Sequence, residues 1–269
     1  MRGIGWALSA VVTSGCGFQL TTNGAAGDDV DVDAAVDSPP SDDAPIDAPP
    51  IERKLYAVSE TMLYTLDVDA KMATPVGTVM DTTAVRVGGL AFDGTNLIGL
   101  SSDGSELLTI DPSTAAVTAR RAISPASTYY GLTVAPAGEA GPTAVVFAGA
   151  AGAKLVKIDP ATGAATSIGD YGGGMYFYTD LAWVNGAGLF ITLQGGSCNP
   201  RCFARLDHTT GAATPFRYNL SSMVYGLSGY RGMLWALHNT GPVMLVSQTD
   251  GIMSSIGFDP GIAWTEAAQ

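Results

Sequence analysis

A short pattern, an apolar strand running into Asp-Pro-x-Thr-Gly, returns along this chain at intervals of about forty to fifty residues. Its clearest copies are Leu108-Thr109-Ile110-Asp111-Pro112-Ser113-Thr114 and Val156-Lys157-Ile158-Asp159-Pro160-Ala161-Thr162-Gly163. Weaker copies are Leu66-Asp67-Val68, Leu206-Asp207-His208-Thr209-Thr210-Gly211 and Val246-Ser247-Gln248-Thr249-Asp250-Gly251. One supersecondary unit of short strands repeated at that period cannot bury its apolar face alone and stacks against its neighbours, which is the signature of an all-β propeller.

A second element sets the blade count. Gly89-Leu90-Ala91-Phe92, Gly131-Leu132-Thr133-Val134, Asp180-Leu181-Ala182-Trp183, Gly226-Leu227-Ser228-Gly229 and Gly261-Ile262-Ala263-Trp264 align with one another. The first four each precede a second apolar run. The last precedes the end of the sequence, while the first repeat, opening at Lys54 to Val58, lacks such a strand. The two defects cancel if the C-terminal strand completes the first blade, which also removes an open sheet edge. The expectation is a five-bladed propeller of four-stranded blades over residues 53–269, closed by Gly261 to Trp264.

The turns agree. Asp93-Gly94 suits a tight hairpin. Asp111-Pro112 and Asp159-Pro160 suit turns in which Asp bonds the backbone two residues on, and Gly163, Gly211 and Gly251 supply a left-handed residue. These aspartates read as turn chemistry; an EF-hand-like loop with a distal Glu is absent.

The N-terminus differs. Met1-Arg2 and a short apolar run from Ile4 to Val12 precede Thr13-Ser14-Gly15-Cys16. This resembles the signal peptide of bacterial lipoproteins, with Thr13 where that family usually has Leu. The resemblance implies cleavage after residue 15 and a lipid on Cys16; a plain secretory signal with an incidental Cys is the alternative. The run is too short for a membrane-spanning helix. Residues 16–52 then read as a disordered tether: Gly27 to Glu52 hold eight Asp, one Glu, five Pro and no Lys or Arg. Such a segment repels itself and has too little apolar surface to fold. It also carries much of the acidity. From Arg53 onward 16 acidic residues face 12 Lys and Arg, although the whole chain has a formal charge of -12. That charge argues against nucleic acid as a partner.

With Cys16 assigned to lipid, Cys198 and Cys202 remain; flanking Asn199-Pro200-Arg201, they read as a disulfide pinching a loop in an oxidising, extracytoplasmic space. A metal site needs more ligands than His208 and His238 supply, and no haem or quinone ligand set is visible, so no cofactor is expected.

Within each blade, one face carries the first-to-second and third-to-fourth strand turns, and these are short. The other carries blade-to-blade linkers and second-to-third loops; seven of the ten tyrosines lie in those linkers. Tyrosine offers a large rigid surface at low entropy cost. Tyr130 and Tyr225 stand two residues before the repeat Leu and are assigned to packing, as are Trp183 and Trp264. Tyr129, Tyr171, Tyr176 and Tyr218 have no such repeat reason. The first three form the candidate binding set on the linker face with Arg201, His238 and Asp180. Asp180 replaces a repeat Gly near the axis and needs a partner, water or an ion there. Convergence of Asp180, Tyr171, Tyr176 and His238 on one pocket marks a ligand site; dispersal marks a scaffold.

The repeats from Lys54 to Glu266 resemble the secreted bacterial propellers of NHL, YVTN and quinoprotein-like type, on the Gly-Leu-Ala and Ile-Asp-Pro-x-Thr-Gly patterns. That resemblance implies the fold; its members include binding modules, scaffolds and some enzymes, such as five-bladed arabinan-cleaving glycosidases. Those need two carboxyl groups facing one cleft, and Asp180 is the only acid expected at the inner mouth. No nucleophile motif appears. The reading is a lipoprotein anchored in the cell envelope, most simply at the outer membrane, presenting a non-catalytic propeller to a glycan, peptide or protein. An extracytoplasmic hydrolase using the linker face is the alternative.

Overall fold

A computed structural model of the chain describes residues 54–220 and 224–269. The expected tether and Cys16 lie outside the described residues. The rest forms five four-stranded antiparallel sheets. Blade 1 contains β1 (Leu55–Ser59), β2 (Met62–Asp67) and β3 (Met72–Thr78). Blade 2 contains β4 (Val87–Phe92), β5 (Leu97–Ser101), β6 (Glu106–Ile110) and β7 (Val117–Ala122). Blade 3 contains β8 (Tyr129–Ala135), β9 (Val145–Ala150), β10 (Lys154–Ile158) and β11 (Ala165–Asp170). Blade 4 contains β12 (Tyr176–Val184), β13 (Gly188–Gly195), β14 (Cys198–Leu206) and β15 (Ala213–Tyr218). Blade 5 contains β16 (Val224–Tyr230), β17 (Met233–His238), β18 (Val243–Val246) and β19 (Met253–Phe258). The final strand, β20 (Glu266–Ala268), pairs antiparallel with β1 and completes blade 1.

Closure by the C-terminal strand is as expected, but its register differs. Glu266 pairs with Val58, Ala267 with Ala57 and Ala268 with Tyr56. Leu90 and Ala91 hold the corresponding places against β5. Glu266-Ala267-Ala268-Gln269, not Gly261 to Trp264, therefore occupies the innermost place. Gly261 turns the chain at φ 68°. Trp264 is buried in the loop before the strand, where its indole N–H donates to Gly241 O at 2.8 Å and its ring meets Tyr64 edge-on at 5.5 Å. Trp264 and Trp183 thus both pack between blades without sharing a repeat position; Trp183 stacks on Phe147 of blade 3 at 5.9 Å.

The core is distributed. Five clusters of buried side chains each fill one blade-to-blade interface, as with Leu55, Leu66, Trp235 and Leu237 between blades 5 and 1. No blade has an interior of its own, so the ring stands only when all five interfaces are present.

The third-to-fourth strand turns repeat one geometry. Gly163, Gly211 and Gly251 each donate their N–H to the carbonyl four residues back at 2.7–2.8 Å, and Ala115 does so at 2.9 Å. Together with Lys71 these residues have φ between 55° and 78°. The leading carboxylates cap the turns: Asp207 Oδ1 accepts from Thr209 N–H at 2.8 Å and Asp111 Oδ1 from Ser113 N–H at 2.7 Å. Hydrogen bonds from the Ser113, Thr162 and Thr209 hydroxyls, joined by the backbone N–H groups, hold Asp111 and Asp159 below the usual carboxylate range and bring Asp207 to about 2. The turn-chemistry reading of these aspartates is what the structure shows.

Candidate functional site

The axis is built from the first residue of each aligned inner strand: Gly89, Gly131, Asp180, Gly226 and Glu266. In blades 2 to 5 the pairing register shifts just before or around this position. The backbones approach so closely that a side chain cannot be added freely. A Cβ on Gly131 would lie 2.7 Å from Asp180 Oδ1, and one on Gly226 would lie 3.0 Å from Ala267 N. Three glycines leave room at the centre, and two acids fill it. The sequence reading had Asp180 as the only acid there; Glu266 was hidden by the misassigned last repeat.

Asp180 and Glu266 belong to blades 4 and 1, with Gly226 of blade 5 between them around the ring. Asp180 is fully buried. Its Oδ1 accepts from Leu181 N–H at 2.8 Å and its Oδ2 from Leu227 N–H of the next blade at 2.7 Å. A side-chain hydrogen bond joins it to Glu266. Burial raises both carboxyls well above their ordinary values; the two backbone donors favour the ionised form of Asp180, whose charge raises Glu266 further. Of the two, Glu266 is therefore the carboxyl that gives up its proton last. Glu266 Oε2 is buried and has no hydrogen-bond partner among the described residues. Asp180 thus finds its partner in a second acid.

The remaining candidates separate. Tyr171 is 1% exposed and Tyr129 3%. Tyr171 lies in the blade 3–4 core and donates its hydroxyl to Lys154 O at 2.8 Å; Tyr129 lies between blades 2 and 3 and donates to Pro125 O at 2.7 Å. Both are packing residues, so neither presents a surface to a ligand. His238 ends β17 in blade 5, half-buried, and burial lowers its pKa, which keeps it neutral at pH 7. Asp180, Tyr171, Tyr176 and His238 do not meet in one pocket.

What gathers instead is one end of blade 4. Its first three strands run 9, 8 and 9 residues, against 4 to 7 elsewhere among the described strands outside the closing one. The β13–β14 hairpin projects on the linker face. Cys198 and Cys202 form the expected disulfide within β14, with Cα atoms 5.0 Å apart, over the buried Met175. Tyr176 pairs with Gln194, and Gln194 with Arg201, across three strands. The Arg201 guanidinium lies 4.2 Å over the Tyr178 ring. Tyr130 of blade 3, expected as packing, stacks on Phe177 at 5.5 Å yet keeps an exposed face. Tyr176, at 49%, and Tyr218 are exposed as well. Gly172, Gly173 and Gly174 all take positive φ and carry the chain into this edge.

On the opposite face the axis opens into a cavity of about 360 Å³ to which all five blades contribute. Its lining begins at Leu90, Leu227 and Ala267, one residue beyond the axial acids, and ends at the first-to-second strand turns, Asp93-Gly94 and Asn185 among them. The sequence reading had passed over this face because its turns are short.

No protein-family model matches the chain, and no curated protein matches it. Solved structures do, at the level of fold. A structure described as a nidogen/laminin complex superposes with TM-score 0.53 at 9% identity, over 80% of this chain and 97% of that one. A gluconolactonase from Xanthomonas campestris superposes with TM-score 0.50 at 14% identity, over 80% and 75%. BamB from Moraxella catarrhalis superposes with TM-score 0.39 at 16% identity, and this chain spans 58% of its length. These neighbours are propellers, and they include binding proteins and enzymes alike.

Proposed function

We propose that the chain is a lipid-anchored, extracytoplasmic propeller that binds a protein segment without catalysis, through the linker-face end of blade 4. The observation that carries this reading is the pair of exposed tyrosines, Tyr176 on β12 and Tyr218 on β15, flanking the disulfide-stapled β13–β14 hairpin, whose Arg201 lies over the Tyr178 ring. Tyrosine and arginine dominate the energetic centres of protein interfaces. The staple lowers the ordering cost of binding. Dispersal of the other candidates favours a docking surface over a small-molecule pocket on this face.

The acids speak against glycoside hydrolysis. That chemistry needs carboxyl groups about 5–9.5 Å apart, with substrate between them. Here they bond each other inside the ring, which leaves no such space.

A Tyr176→Ala, Arg201→Ala double variant is expected to keep its melting temperature and to bind an array-derived peptide at least about tenfold more weakly. Equal peptide binding by both proteins places the site elsewhere, and glycan binding in place of peptide replaces the partner class. Tyr171 has no place in this test, since truncating a buried aromatic costs about 3–5 kcal/mol of stability.

Anchoring rests on Ser14-Gly15-Cys16 and the acidic, proline-rich segment after it. Cys16→Ala is expected to move the protein from the membrane to the soluble envelope fraction, and mass spectrometry of the wild type to find diacylglycerol on Cys16. An unmodified N-terminus at another residue leaves ordinary secretion.

A further inference from the structure

The cavity on the turn face is distinct from the blade 4 edge, and its chemistry is one-sided. Among its lining residues there is no Lys, Arg or His. Its polar members are Asp93, Thr133, Asn185, Ser228 and Gln269, and each brings an oxygen acceptor. Asp93 spends Oδ1 on the N–H groups of Thr95 and Asn96, both at 2.8 Å, and Oδ2 has no partner among the described residues. Ser228 is 3% exposed and its hydroxyl is unpartnered; Gln269 Oε1 is likewise buried and unpartnered. Two such oxygens on one cavity wall are uncommon, because buried polar atoms ordinarily find partners. A ligand bearing N–H or O–H donors would supply them.

The charge adds a second condition. Asp93 at the mouth is negative, and no side-chain cation in the lining offsets it. Low-dielectric walls lengthen the reach of such charges. Phe92 and Trp183 contribute to the wall, side-chain types against which ammonium groups rest. The volume of about 360 Å³ falls within the range of small-molecule sites.

We infer that this cavity is a binding site for a small organic cation, an amine with its ammonium group directed to Ser228 and Asp93. An anion would meet Asp93 at the mouth and no cation in the lining. Neutral polyols would meet the unpartnered oxygens but gain nothing from the field.

Titration calorimetry and ligand-observed NMR with ethanolamine, putrescine, glucose and acetate, at low salt and pH 7, test this on the purified full chain. At least one of the two amines is expected to bind saturably, with glucose and acetate silent. Asp93→Asn, which keeps the turn-capping oxygen, and Ser228→Ala are each expected to weaken the amine about tenfold without moving the melting temperature. The Tyr176→Ala, Arg201→Ala variant is expected to bind it normally, so failure here is separable from failure of the docking surface. The inference is overturned if neither amine saturates below about 10 mM, if glucose binds as well as the amines, or if both cavity variants retain wild-type affinity.

Discussion

Deleting Glu266 to Gln269 is expected to abolish cooperative unfolding. The deletion leaves Trp264 in place and removes only the last inner strand. It breaks the β20 pairing to Tyr56, Ala57 and Val58 and exposes the edge of β1, whose residues Leu55 to Val58 are buried. It also takes Glu266 from Asp180, leaving a buried carboxylate without its acid partner. Every interface core is shared by two blades, so loss at blade 1 weakens the cores toward blades 2 and 5 together. A loss of about 4 kcal/mol or more follows from losing both packing and a buried polar partner, enough to consume a large part of a domain's stability. Urea melts and size-exclusion chromatography read it out: a broad transition and aggregates through the open edge. A truncated protein with unchanged midpoint and slope contradicts closure by this strand.

The second large effect is a fall in stability with rising pH. In the unfolded chain both carboxyls lose their protons at ordinary values, near pH 4 to 4.5. In the folded ring their values are raised, so the folded state holds a proton that the unfolded state has released. A raised folded-state value contributes stability in full below the unfolded value, and that stability drains away as pH climbs through the folded value. For one proton the slope is about 1.4 kcal/mol per pH unit. The turn aspartates act in the opposite sense: Asp207, at about 2, stabilises above the unfolded value and is lost as pH falls from about 4 toward 2. Stability is therefore expected to peak near pH 4 to 5. Glu266→Gln retains an N–H donor toward Asp180 and should flatten the alkaline limb. Asp180→Ala removes the acceptor of Leu181 and Leu227 N–H and should cost about 3–5 kcal/mol. Urea-derived stabilities between pH 3 and 9 check both; a wild-type curve rising from pH 5 to 8 rejects the shared proton.

Most of the architecture was legible because turn chemistry repeats. Asp at the turn start (Ser247 in blade 5) and a left-handed residue four positions on mark the blades even where, as at Lys71 and Ala115, the left-handed residue is not glycine. The closing strand was not legible in register. Gly261-Ile262-Ala263-Trp264 copies the apolar pattern of an inner strand, whereas Glu266-Ala267-Ala268 does not, because the axis tolerates small residues and one protonated acid. The site was less legible than the fold. Tyr129 and Tyr171 sit in linkers, as Tyr176 does, but their hydroxyls find backbone carbonyls inside the protein, and sequence position does not reveal that partner. The length of the blade 4 strands was present in the spacing of Tyr176, Gly195 and Cys202.

The axial pair joins the closing strand to blade 4. Carbon-13 NMR of the side-chain carboxyls, followed from pH 3 to 9 and assigned through Glu266→Gln and Asp180→Asn, tests it directly. The account predicts that both carboxyls titrate well above their ordinary values, Glu266 last. Independent titration of both groups at ordinary carboxylate values, near 4, would contradict it.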